Sequence, residues 1–186
     1  MKTLHQSRFE HFGINVMDIK KMEKFYCTMF GFVASDRGKR FNGTNIVFLT
    51  KSANDHHQLV LIDGRPPEAE YSTINQISFG LTDLDELRNA YETLIKMGID
   101  PVDIIQIDHG NAWSFYTKDP EGNPLELFCD SPWHTPQPCR GDLDISKSSE
   151  VIMKQTEKLC RSRPGFSTRE EWSLKMEKTM ARAVEA

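Results

Sequence analysis

The sequence predicts an α+β fold in which two βαβββ modules pair their sheets into a cup-shaped half-barrel, with a helical extension behind them. Three observations predict it. A stretch near the start of the chain recurs in the middle. Each copy opens with the two-residue alternation of a strand and then changes to the three-and-four spacing of a helix. Each helix is followed by three short strand-like runs, most of them separated by glycine-containing turns.

Residues 9–31, FEHFGINVMDIKKMEKFYCTMFG, lie over residues 74–98, INQISFGLTDLDELRNAYETLIKMG, with a two-residue insertion that brings Gly31 opposite Gly98. His11 then meets Gln76, Asp18 meets Asp83, Met22 meets Leu87 and Tyr26 meets Tyr91. Phe12, Ile14 and Val16 point one way, as do Ile77, Phe79 and Leu81. His11, Gly13 and Asn15, or Gln76, Ser78 and Gly80, point the other, so each is a strand with one buried face. Ile19, Met22, Phe25, Tyr26 and Met29 then form a helical stripe, as do Leu84, Leu87, Tyr91 and Leu94. Asp18 and Asp83 stand where an N-cap belongs, and Gly31 and Gly98 where the chain leaves a helix left-handed.

The strand-like runs are Phe32–Ser35, Asn45–Thr50 and His57–Ile62, then Val102–Ile107, Ala112–Thr117 and Pro124–Cys129. Turns are expected at Arg37-Gly38-Lys39, Phe41-Asn42-Gly43, His109-Gly110-Asn111 and Asp119-Pro120-Glu121-Gly122-Asn123. The modules therefore span about 8–63 and 74–130, inside a domain of residues 1–130, with a polar linker around Asp63-Gly64-Arg65-Pro66-Pro67. Beyond 130, Pro132, Pro136, Pro138 and Gly141 make a loop, and Ser148 to Cys160 reads as an amphipathic helix. Ser167 and Glu170 read as a capping box ahead of a stripe of Trp172, Met176 and Met180. Residues 131–186 are thus a helical extension, packed on the modules or on a partner subunit; a homodimer or higher homo-oligomer is expected.

Composition excludes several classes. With 38% apolar and 27% charged residues and a net charge of −4, the chain has neither the charge excess of disorder nor the basic excess of a nucleic-acid binder. No run approaches the roughly 20 apolar residues of a membrane span, and the first fifteen residues show no apolar leader core. Cys27, Cys129, Cys139 and Cys160 have no CxxC spacing, so reduced thiols and a cytoplasmic protein are expected, without nucleic-acid or membrane partners.

Three side chains have the character of metal ligands. His11 lies mid-strand on the face that is not apolar, and Gln76 is its repeat mate. Glu126 sits within Leu125-Glu126-Leu127-Phe128, a carboxylate inside a core-strand pattern. Alone, His11 also fits a hydrogen-bonded strand histidine and Glu126 a solvent-facing edge carboxylate. Together they favour a cavity site, because a carboxylate is rarely buried without a partner, and a His-plus-carboxylate set suits Zn, Mn or non-haem Fe(II).

Residues 8–130 resemble the vicinal oxygen chelate superfamily, which includes glyoxalase I, fosfomycin resistance proteins, bleomycin-binding proteins and extradiol dioxygenases. The phrases that carry the resemblance are FEHFGINVMDIKKMEKFY, DHHQLVLIDGRP, INQISFGLTDLDELR and, most specific, HGNAWSFYTKDPEGNPLELF. The pattern is most similar to the catalytic half of the extradiol dioxygenases. That resemblance implies His11 and Glu126 as metal ligands and Tyr116, ten residues before Glu126, as a contact to a substrate hydroxyl. It also implies His57 as the acid–base group of a His56-His57 pair, with His56 beside the substrate; a polar turn fits the same two residues. His109 faces the cup as a substrate contact or is a turn histidine. Where the family carries its second His ligand this chain has Gln76, whose amide oxygen is a harder, weaker donor.

The expected function is a dioxygenase-like enzyme using Fe(II), with Mn(II) next, for extradiol-type ring cleavage of a small catecholic substrate with O2. The alternatives are a glyoxalase-like lyase or isomerase and a small-molecule-binding resistance protein on the same fold.

Overall fold

The computed structural model describes residues 9–68 and 74–185. The expected start of the first module at residue 8, and the first eight residues of the stretch read as leader-free, lie outside the described residues. The chain divides into two compact units, one formed by residues up to Asn75 with Lys118–Pro124, the other by Gln76–Thr117 with Leu125 onward.

The first unit contains β1 (Phe12–Val16), α1 (Ile19–Phe30), β2 (Val33–Lys39), β3 (Asn45–Thr50) and β4 (Leu59–Asp63), with sheet order β1-β4-β3-β2. β1 runs parallel to β4, and β3 is antiparallel to both β4 and β2. Helix α1 starts because the Asp18 side chain accepts from the N–H groups of Lys20 and Lys21, at 3.1 and 3.0 Å, a cap that contributes about 1 kcal/mol. It stops at Gly31, whose φ of 68° no β-carbon opposes. Its stripe of Met22, Phe25, Tyr26 and Phe30 is buried, as are Ile14, Val16, Val47, Leu49 and Leu59 to Leu61. At roughly 1.5–3 kcal/mol for each fully buried large side chain, this apolar layer holds the unit together.

The Asp119–Asn123 turn belongs to this first unit. The Glu121 carboxylate accepts from the N–H groups of Met17 and Asp18 at 2.8 Å, and Tyr26 donates its hydroxyl to Asp119 at 3.0 Å. Arg65 donates to the Glu121 carbonyl and the Asn123 side chain. Burial, reinforced by the Asp119 charge, pushes the Tyr26 phenol far above its usual pKa, so it stays a donor.

The second unit contains β5 (Ile77–Leu81), α2 (Leu84–Lys96), β6 (Ile105–Asp108) and the greater part of β7 (Ala112–Lys118) and β8 (Pro124–Asp130). The extension follows as β9 (Trp133–His134), β10 (Gly141–Asp142), α3 (Ser149–Arg161), β11 (Ser167–Thr168) and α4 (Arg169–Glu185). Sheet order is β10-β6-β7-β8-β5, with β5 parallel to β8. The four strands β5 to β8 thus repeat the sheet topology of the first unit, and β10 is added at the edge beside β6. Helix α3 lies against β6 and β7: Trp113 donates its indole N–H to Thr156 at 2.7 Å, and Thr156 donates to Asp108 at 2.5 Å. Arg88 of α2 donates to the carbonyls of Ile145 and Lys147 and to Ser149, which fixes the approach to α3. All four cysteines are free thiols, and among the described residues no helix is long and apolar enough to cross a membrane.

Four local expectations change. Arg37-Gly38-Lys39 is strand, not turn; the chain reverses at Phe41-Asn42-Gly43, where Gly43 has φ 84° and Asn42 accepts from the Thr44 N–H and hydroxyl. The run from Val102 starts as a 3-10 turn, Pro101–Asp103, because Asp100 caps it and Pro101 fixes its first φ; the strand begins at Ile105. His11 stands one residue ahead of β1 instead of mid-strand, the ladder opening with the Phe12 N–H on the Gln58 carbonyl at 3.3 Å. The last helix is capped by Thr168 and Glu171, one residue later than expected, because Ser167 pairs with His134 in a short ladder. Of its stripe, Trp172 stacks on His134 at 5.1 Å, while Met180 stays 61% exposed.

Candidate active site

In the second unit, alternation along β5, β7 and β8 sorts the side chains. Ile77, Trp113, Phe115, Leu125 and Leu127 are core, and Ser78, Ser114, Tyr116, Glu126 and Phe128 occupy the other face. Glu126 is paired in register with Ser78 across the parallel β5–β8 ladder and is only 9% exposed. Its Oε2 accepts from Ser78 Oγ at 2.6 Å and from the Gln76 amide at 2.7 Å, and its Oε1 accepts from the Tyr116 hydroxyl at 2.6 Å. The Tyr116 oxygen also lies 3.0 Å from His109 Nε2, and His109 Nδ1 lies 3.0 Å from the Cys139 carbonyl. As that carbonyl can only accept, Nδ1 carries a proton. Desolvation first, then the hydrogen bond and charge of Glu126, raise the Tyr116 pKa well above that of a free phenol, so Tyr116 stays protonated and donates. This chain borders a cleft of about 330 Å³ lined by His109, Ser114, Tyr116, Glu126, Phe128 and Gln137.

In the first unit the histidines cluster. The rings of His11 and His57 lie 4.1 Å apart, His56 Nδ1 is 2.9 Å from His57 Nδ1, and Phe48 meets His57 edge-on at 5.0 Å. Burial, then the neighbouring His11 and His56, lower the His57 pKa, which favours neutral imidazole, the form that can accept a proton. His56 also faces Asp36 at 3.7 Å.

The structure therefore joins Gln76, Glu126, Tyr116 and His109 in one hydrogen-bonded chain, and His11, His56 and His57 in another cluster. Sequence reasoning missed Ser78, although its signal was present: it stands two residues after Gln76 on the same strand face. It also missed Phe48, whose place beside the histidines comes from the β3–β4 register.

Among the described residues no group of three or more His, Cys, Asp or Glu gathers to hold an ion. The second unit offers a carboxylate and an amide instead. The Gln76 amide nitrogen and Glu126 oxygen are 2.7 Å apart, near the roughly 3 Å that separates adjacent oxygens on a divalent ion bound at about 2.1 Å. A half-turn of the amide replaces its nitrogen by its oxygen at that place. This donor pair fits a divalent cation.

The family model described as Glyoxalase/Bleomycin resistance protein/Dioxygenase superfamily matches residues 8–127. The chain is similar to biphenyl-2,3-diol 1,2-dioxygenase 2 of Rhodococcus globerulus, 28% identical over 129 residues that make up 67% of this chain and 63% of that protein. It is also similar to catechol-2,3-dioxygenase of Bacillus subtilis (strain 168), 27% identical over 143 residues, 73% of this chain and 46% of that protein. The chain thus spans less than two thirds of the length of these curated relatives. Among solved structures, the fosfomycin resistance protein FosX of Listeria monocytogenes, complexed with Mn(II) and sulfate ion, is similar with a TM-score of 0.52 at 17% identity, over 67% of this chain and 93% of that chain. That likeness is one of fold.

Proposed function

Because the chain belongs to the Glyoxalase/Bleomycin resistance protein/Dioxygenase superfamily, we propose that it is a metal-dependent dioxygenase-like enzyme that opens the ring of a small vicinal aromatic diol with O2. The observation that carries this is Tyr116 held protonated against Glu126, a phenol donor next to a carboxylate ligand.

Gln76 and Glu126 would hold the metal in the second unit, Fe(II) first and Mn(II) next; His11 keeps the ligand role that the family resemblance implies for it. When bound, a divalent ion supplies Lewis acidity that lowers the pKa of a coordinated hydroxyl. With Glu126 taken up as a metal ligand, Tyr116 would turn its one hydroxyl proton from Glu126 Oε1 to a substrate oxygen and so orient the diol. Ser78 fixes the Glu126 carboxylate, as the partners of metal ligands do. His57, kept neutral by its surroundings, takes the hydroxyl proton and returns it to the product. His109, hydrogen-bonded to Tyr116, would contact the substrate from the second unit, and His56 keeps the substrate-contact role that the resemblance implies.

Oxygen uptake by protein loaded anaerobically with Fe(II), over a panel of catechols, tests the reading. Catechol-dependent uptake with a ring-opened product is expected; metal-replete protein that consumes no O2 with any of them would sink it. Gln76 favours a second reading, a glyoxalase-like lyase or isomerase, because a neutral amide in place of imidazole is a harder donor. In that case metal-dependent isomerisation proceeds without O2.

A further inference from the structure

The two units treat the turn between their second and third strands differently, and in the second unit that turn lies at the candidate site. In the first unit residues 40–44 join β2 to β3 and close on themselves. The Arg40 N–H meets the Thr44 carbonyl at 2.9 Å, and Phe41 at the tip is fully exposed. In the second unit residues 109–111 join β6 to β7, and this turn carries His109. All three of its carbonyls accept from the extension. Gln137 donates to the His109 carbonyl at 2.9 Å, the Ser131 hydroxyl to that of Gly110, and the Ser131 N–H to that of Asn111 at 3.0 Å. Gly110 is approached as closely: a β-carbon there would stand 2.6 Å from Thr135 Cγ2 and 2.9 Å from Cys160 Sγ.

Gln137 makes the tie to His109 double. Its amide also donates to Asn111 Oδ1 at 2.6 Å, while its Oε1 accepts from the Cys139 N–H at 2.9 Å. The Cys139 carbonyl in turn accepts from His109 Nδ1 at 3.0 Å. One side chain therefore fixes both the backbone of His109 and the residue whose carbonyl holds its ring. With Nδ1 committed to that carbonyl, Nε2 is left for Tyr116, 3.0 Å away. The loop is braced from behind, where Arg163, just past α3, donates to the Pro138 carbonyl at 2.8 Å. A ring fixed beforehand leaves less to order when a substrate arrives. The family model ends at residue 127, so Ser131, Gln137 and Cys139 all follow the matched segment.

We infer that the extension completes the active site and that Gln137 is a positioning residue, which holds His109 by backbone and ring so that Nε2 meets Tyr116. This rests on the reading of His109 and Tyr116 as substrate contacts.

The test is NMR of the histidine ring nitrogens in the full-length protein at mildly alkaline pH, joined to turnover. The parent should show one histidine, absent from His109→Gln, with Nδ1 protonated and that proton slow to exchange. Gln137→Glu keeps the size and the acceptor for Cys139, but it turns a carboxylate toward two oxygens, and repulsion parts the loop from the turn. His109 should then give tautomer-averaged signals and a fast-exchanging proton, with metal content unchanged. Ser131→Ala, which frees the Gly110 carbonyl, should do the same to a smaller extent. In the Fe(II)-loaded enzyme Gln137→Glu should lower catechol turnover by roughly 10²-fold, the scale of a displacement of about 1 Å. His109 signals that match the parent in both variants overturn the inference, as does a freed ring with undiminished turnover. If no catechol supports O2 uptake yet Gln137→Glu frees the ring, the dioxygenase reading falls and the positioning role stands. Uptake in the parent that both variants retain, ring signals included, has the opposite meaning.

Discussion

The two units place different chemistry on one backbone plan. His11 and Gln76 each stand one residue ahead of the first strand of their unit. Two residues on, Gly13 pairs with Val60 in the first unit, and Ser78 pairs with Glu126 in the second. On the next strand Phe48 pairs with Val60, and Tyr116 reaches Glu126. The second unit thus carries Gln, Ser, Tyr and Glu where the first has His, Gly, Phe and Val. One face became a hydrogen-bonded polar chain and the other an apolar floor edged by histidines. Register, the property the two units share, decides which positions can meet; side chains at those positions decide whether they form a hydrogen-bonded chain or an apolar floor.

The comparison is broken most severely at the carboxylate of the polar chain, Glu126. Glu126→Ala is expected to take bound metal from about one ion per chain to nearly none, as an open site of few ligands requires. Val60→Ala, at the matching position, leaves metal content unchanged; elemental analysis of the two proteins reads the contrast, and equal retention would undo the assignment of Glu126. His57→Ala tests the histidine edge. It should lower turnover by roughly 10²–10⁴-fold with metal content intact, and an undiminished rate would make His57 structural. At the repeat mates, Gln76→Ala should weaken metal binding about 10-fold or more, and Gln76→His should preserve or tighten it for Fe(II). Metal titrations that match the parent for both would show Gln76 to be a bystander. The smallest effect concerns the helix that covers only the second sheet. Thr156→Val removes the acceptor of Trp113 and a donor to Asp108, and should cost about 1–3 kcal/mol in denaturant unfolding. A midpoint equal to the parent's would show that α3 is held by apolar packing alone.

Much of this was legible along the chain. Asp18 and Asp83 cap their helices as spacing suggests, Gly31 and Gly98 turn left-handed past the helix ends, Gly98 one residue beyond the Met97 cap, and the strands after each helix appear in the expected order. Glycine alone misled at Gly38, because an exposed edge strand tolerates it and only Gly43 of that hairpin needs positive φ. The strand expected from Val102 starts late, because Pro101 with its Asp100 cap favours one tight turn first. The most specific phrase, Asp119 to Asn123, was legible as a turn but not as a clamp. Its carboxylates hold the start of α1 and the Tyr26 hydroxyl, which lie 93 to 104 residues away.

By itself the sequence determined the duplication, the alternation that sets Glu126 off the core side of its strand, and the candidate residues. Such properties depend on periods of 2.0 and 3.6 residues and on turn chemistry between near neighbours. Tertiary structure decided the partners. Ser78 and Gln76 meet Glu126 from 48 and 50 residues away because β5 and β8 run parallel in one register, and a slip of one residue would turn every one of these side chains to the opposite face. It decided too that Tyr116 and Glu126 share a proton donor's bond while their repeat mates share apolar contact, since a hydrogen bond needs atoms within about 3 Å and only the assembled sheet brings them there.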